Sequence, residues 1–179
     1  MNKYKNTTVF LIKFFGTYFL LFVIYASYLN ASQEKDAGFQ CASLTTNVAN
    51  QTVSFLTAFG YDVTSVQHDK EMSVKLVVNN QYIARVIEGC NSMSIIILFI
   101  AFIVAFAGPW KATIVYVLAG SLVIYVINIL RIAFLTIMLY KFPNEQMVLH
   151  NLVFPAIIYG TTFLLWVIWV QKFSHYKNE

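Results

Sequence analysis

The chain has 179 residues, 59% of them hydrophobic, 17% aromatic and only 11% charged, with a formal net charge of +4. A water-soluble domain carries charge on about a quarter of its residues, so this composition excludes an ordinary soluble fold and predicts an all-α polytopic membrane protein. The basic residues are scattered, with no stripe or arginine-rich run, so no nucleic-acid partner is expected.

Taken in chain order, Met1–Thr7 is short and polar, with Lys3 and Lys5. Thr8–Leu29 is the first apolar run, long enough to cross a hydrocarbon core of about 30 Å as a helix. It exceeds the apolar core of a signal peptide, and no small-x-small cleavage site follows, so a retained helix is expected. Lys13 near its start can snorkel toward the basic N-terminus. Asn30–Gly89 is a polar insert. Within it Val48, Thr52, Phe55, Leu56 and Phe59 share one helical face, and Gly60 is a natural stop. Met72–Val78 and Gln81–Glu88 are rich in β-branched residues and flank Asn79-Asn80, which predicts a β-hairpin running into Cys90.

Ile95–Ala107, extended by Met93 and Gly108, is the second apolar run. Gly108-Pro109-Trp110-Lys111 breaks it with a tight turn. Ala112–Tyr140 follows, interrupted by Asn128 and Arg131. Lys141–Leu149, with Pro143, Asn144 and Glu145, reads as a surface loop, and Leu152–Val170 as the last span. The tail carries Lys172 and Lys177. The expected organisation is a basic N-terminus and first helix (1–29), a small α+β insert made of an amphipathic helix and a hairpin (30–89), a three-helix membrane core (90–173) and a tail (174–179).

About four membrane helices put both termini on one side. Lys3, Lys5, Lys111, Lys172 and Lys177 fall on that side, which the positive-inside rule places in the cytoplasm. The insert and the Lys141–Leu149 loop then face outward. Cys90 opens helix two from the outer side, Arg131 lies in the outward half of helix three, and His150 opens helix four. The three share one membrane level.

Each has a functional and a plain reading. Cys90 at a helix N-terminus would be favoured as thiolate, a good nucleophile toward a carbonyl; it is equally a small buried hydrophobe or the disulfide partner of Cys41. Arg131 keeps its charge and needs a reason to sit in an apolar run; it can hold a thiolate or an oxyanion, or meet lipid phosphate. Ile132–Leu139 beyond it argue for a place within the membrane, and Asn128, one turn earlier, can help orient it. His150 titrates near neutrality and can act as acid and base, or simply cap a helix. His68 and His175 fit the plain reading. There is no Walker loop, dinucleotide fingerprint, Cys-x-x-Cys or zinc spacing, so neither cofactor nor metal is expected.

Val86-Ile87-Glu88-Gly89-Cys90-Asn91-Ser92-Met93 resembles the cysteine motif of the exosortase/archaeosortase family. Asn128-Ile129-Leu130-Arg131 is similar to its Asn-x-x-Arg motif, and His150 to its histidine. The resemblance covers roughly Tyr82 to Phe173 and looks most like the exosortase F type of Bacteroidetes. It implies a membrane-embedded cysteine transpeptidase of the bacterial inner membrane, with its site at the periplasmic face. Its partners would be exported proteins that end in a short motif, a transmembrane helix and a basic cluster, with membrane lipid and a small membrane protein also expected. By resemblance Cys90 is the nucleophile, Arg131 the thiolate or oxyanion partner and His150 the acid/base, with Glu88, Asn91 and Asn128 in support. Where many members have Cys-Ser-Gly or Cys-Ala-Gly, this chain has Cys90-Asn91-Ser92, which bears on how closely a substrate backbone approaches. The rivals are a non-enzymatic scaffold with a Cys41–Cys90 disulfide, a metal-handling carrier and a simple hydrolase.

Overall fold

A computed structural model describes residues 2–33, 39–106, 108–148 and 152–173. The described residues are mostly helical, with one small three-stranded sheet. The elements are α1 (Asn2–Ser32), α2 (Ser43–Ala58), β1 (Val63–Gln67), β2 (Ser73–Val78), β3 (Gln81–Ile87), a 3₁₀ turn (Glu88–Cys90), α3 (Met93–Ala105), α4 (Trp110–Lys141), a second 3₁₀ turn (Pro143–Glu145), the single turn α5 (Gln146–Val148) and α6 (Phe154–Lys172). Among the described residues, two helices are long and apolar enough to cross a bilayer, within Asn6–Ser32 and Trp110–Lys141. α3 is a shorter apolar helix of 13 residues and α6 has 19.

The apolar runs form helices where the sequence places them, because each has no interior proline. Pro109 ends the break before α4, and Pro155 sits in the first turn of α6, where a missing N–H costs nothing. α1 packs along α3, α3 along α4, and α4 along α6. The outer faces stay apolar: Ile12, Phe19 and Leu20 on α1, Leu118 and Leu122 on α4, and Phe163 and Leu164 on α6 are all exposed. An exposed apolar surface of this extent requires a lipid solvent. Inside, Phe99 of α3 lies on the bare backbone of Gly120 in α4, both fully buried or nearly so.

The hairpin forms as expected, with β2 and β3 antiparallel and joined at Asn79-Asn80. Both asparagines have positive φ, 47° and 62°, as a type I′ turn demands and as asparagine tolerates. A register shift at Leu76/Val77 leaves Ile83 as the extra residue of β3. A third strand, β1, pairs with β2 and was not expected; at five residues its pattern is too brief to register as a strand. On α2 the expected face is partly right. Val48, Thr52 and Leu56 are buried, but Phe59 caps the helix at 69% exposed, and Ala49 and Thr45 complete the buried stripe instead.

The insert shares its core with α4. Val48 and Ala49 of α2 and Val74, Leu76 and Val86 of the sheet pack with Ile132 and Leu139 of α4, while Leu56, Val63 and Val78 pack with Ala133. Ile132, Ala133 and Leu139, apolar residues after Arg131, are therefore the floor of the insert. Their hydrophobicity is spent on protein packing, so it is not by itself a sign that Arg131 lies in hydrocarbon.

Candidate active site

Cys90 ends the 3₁₀ turn Glu88–Cys90; α3 begins three residues later at Met93. The thiol is thus not on the first turn of an α-helix, as expected, but on an irregular corner between β3 and α3. Ser92 makes the corner possible with φ 63°, an uncommon conformation for a residue bearing a side chain. The corner is held from both sides. The Glu88 carboxylate accepts the backbone N–H of Ala42 at 2.7 Å and the Thr45 hydroxyl. A carboxylate here faces the N-terminus of α2, where free N–H groups and the helix dipole favour negative charge. Asn91, 1% exposed, donates from Nδ2 to the Tyr25 hydroxyl (2.7 Å) and to Thr45 Oγ1 (3.2 Å), and its Oδ1 accepts the N–H of Met93 (3.0 Å). Asn128, also 1% exposed, donates to the backbone carbonyl of Cys90 at 2.7 Å. Asn128, expected to help orient Arg131, thus holds the Cys90 backbone.

Cys90 and Arg131 line one cavity of about 240 Å³. Its walls are Ala84, Arg85, Val86 and Ile87 of β3, Gly89 and Cys90 of the corner, Arg131, Ile132 and Leu135 of α4, and Pro155 of α6. Both side chains are half-buried. Among the described residues the Arg131 guanidinium has no carboxylate partner; the ion pairs there are Lys75–Asp69 and Arg85–Glu71. A cavity that joins a thiol, the Arg131 guanidinium and a wall that is apolar apart from Arg85 has the parts needed to attack a carbonyl and stabilise the oxyanion that results. His150 lies outside the described residues, as does His175. α6 reaches the cavity through Pro155, which follows His150 by five positions in the chain.

Both cysteines are free thiols. Cys41, 7% exposed, sits in the apolar cluster against which Cys90 also packs. Its thiol is pushed above its ordinary value by burial, with the nearby Glu88 carboxylate adding to the effect and a hydrogen bond from Gln67 opposing it. Three residues near the corner were not singled out from sequence. Arg85 was legible in principle, since strand alternation places it on the strand that runs into Cys90. Tyr25 and Thr45 carry no local signal, because 65 and 45 residues separate them from Cys90.

Apolar spanning helices with a cysteine corner and a buried-edge arginine on a shared cavity define an integral membrane protein with the makings of a thiol site. Residues 8–170 match the family model described as transmembrane exosortase, and the chain belongs to that family. The family is one of membrane cysteine transpeptidases that act on exported proteins bearing C-terminal sorting signals. Among curated proteins and solved structures, nothing matches the chain.

Proposed function

We propose that this chain cleaves the C-terminal sorting tail of exported proteins through a Cys90 thioester and transfers or releases them at the outer face of the bacterial inner membrane. The observation that carries the reading is the cavity shared by Cys90 and Arg131 in a chain of this family. The Cys90 thiolate attacks the scissile carbonyl carbon. Arg131 donates hydrogen bonds to the oxyanion, or holds the thiolate beforehand. The tetrahedral intermediate collapses as the amine of the tail leaves, taking a proton from His150. An amine or water, deprotonated by His150, then displaces the thiol from the thioester and regenerates the site.

The topology that goes with this function has four membrane helices, both termini in the cytoplasm, and the insert and site outside. The short helices α3 and α6 are the second and fourth spans. The substrate's own membrane helix lies against the bundle and delivers its outer peptide bond to Cys90, so the bilayer does much of the positioning. The hairpin walls the cavity through Arg85 and its neighbours, which suits it to read the short motif beside the scissile bond. Swapping residues of Met72–Glu88 should alter substrate choice, and unchanged selectivity across such swaps removes that part.

The test is the C-terminal mass of a co-encoded protein ending in a motif, a helix and a basic cluster, in cells with the wild-type chain and with Cys90→Ala. Loss of the tail with wild type alone supports the proposal, and the new terminal mass separates transfer from hydrolysis. A tail that persists equally in both, with no covalent adduct on Cys90, rejects it.

A further inference from the structure

Cys90 is flanked by two polar side chains that do not line the cavity and converge on one hydroxyl. Glu88 precedes it by two residues and accepts the Thr45 hydroxyl proton; Asn91 follows it and donates to the same Thr45 oxygen at 3.2 Å. Thr45 is 0% exposed and belongs to α2, which is otherwise remote in sequence. The second Nδ2 proton of Asn91 goes to the Tyr25 hydroxyl at 2.7 Å, which ties α1 to the corner. With both Nδ2 protons donated and Oδ1 accepting the N–H of Met93, the amide of Asn91 has one orientation.

We infer that Thr45 and Tyr25 are positioning residues, holding Cys90 at the cavity by clamping both flanks of its backbone to α2 and α1. The inference rests on the thiol chemistry proposed above. Thr45 is the centre, because its one hydroxyl donates to the Glu88 carboxylate and accepts from the Asn91 amide, and so joins the two flanks directly. The charge-assisted half of this pair is the stronger. Networks of this kind fix a unique geometry when every member is satisfied. α1 enters the active site in this way without contributing a wall to the cavity. A thiol on an irregular corner, rather than on a helix, needs such an external clamp, since no repeating backbone hydrogen bonds hold it.

The experiment uses the full chain in proteoliposomes with wild type, Thr45→Val, Thr45→Ser, Tyr25→Phe and Cys90→Ala. It reads kcat and KM for tail cleavage, and separately the rate at which N-ethylmaleimide alkylates Cys90, assigned by peptide mass. Thr45→Val should lower kcat by about tenfold or more with KM nearly unchanged, the loss expected for a buried hydrogen bond to a charged group. It should also shift the alkylation rate of Cys90, and Thr45→Ser should restore both. Tyr25→Phe should move both in the same direction by less. Wild-type kcat and alkylation in Thr45→Val, or a Thr45→Ser no better than Thr45→Val, overturns the inference. If Thr45→Val does not fold, Tyr25→Phe decides alone: unchanged kcat and alkylation overturn it. If the wild-type chain cleaves no tail, the proposed function fails, while the alkylation comparison still decides the clamp.

Discussion

The side-chain amide of Asn128 donates to the backbone carbonyl of Cys90 across a 2.7 Å hydrogen bond, joining α4 to the corner between β3 and α3. Arg131 lies one turn further along α4 and lines the cavity with Cys90. One helix therefore fixes the height of the thiol and supplies the cation that faces the same space.

Asn128→Leu should destabilise the protein by about 1–3 kcal/mol, because a buried carbonyl loses its donor. Cleavage should slow with it as the corner loosens. Asn128→Asp should be worse than Asn128→Leu, since it sets a second acceptor against the carbonyl. Thermal unfolding in detergent, with cleavage assayed on the same samples, checks both; an Asn128→Asp chain as stable as wild type contradicts the assignment.

Arg131→Gln should reduce kcat by about 10²-fold or more, the range for losing one oxyanion donor. Arg131→Lys should recover little of it, because an ammonium lacks the planar fork of donors. Initial rates on a tail-bearing substrate decide this. Near-wild-type turnover in Arg131→Lys would show that charge alone suffices.

Cys90 should be alkylated well before Cys41. The first lines an open cavity, whereas the second is 7% exposed and its thiol is raised by burial. The raised value has a pH consequence of definite sign. Folding keeps the Cys41 proton bound more tightly than the unfolded chain does, so its contribution is full below 9.0 and is lost as pH rises through the higher folded value. Peptide mapping after brief maleimide treatment tests the order of reaction. Thermal midpoints of wild type and Cys41→Ala on either side of that pH test the slope, which should be shallower in the variant.

Gly120→Ala should cost about 1–3 kcal/mol, the usual penalty of overpacking. A Cβ at that position would overlap the Phe99 ring, itself fully buried. Gly120→Ala combined with Phe99→Leu should be less destabilised than the sum of the single changes, because the smaller side chain vacates the overlap. A strictly additive pair of unfolding midpoints rules out the contact as the cause.

The sequence by itself determined the helices, the hairpin and the family. Long apolar runs free of interior proline have one stable form in lipid, and Asn79-Asn80 has the backbone tolerance of a tight turn. Those signals are local, so they survive without the fold. Cys90, Arg131 and Asn128 were also legible, as polar or reactive groups set beside apolar runs that ask for a reason. Only the tertiary structure decided what the neighbours do. It showed that Asn128 holds the Cys90 carbonyl, moved the thiol off the helix onto a hydrogen-bonded corner, and packed Ile132, Ala133 and Leu139 under the insert. It also brought Thr45 and Tyr25 to that corner. These outcomes depend on which distant side chain meets which, and hydropathy records that a residue is apolar without recording whether lipid or protein covers it.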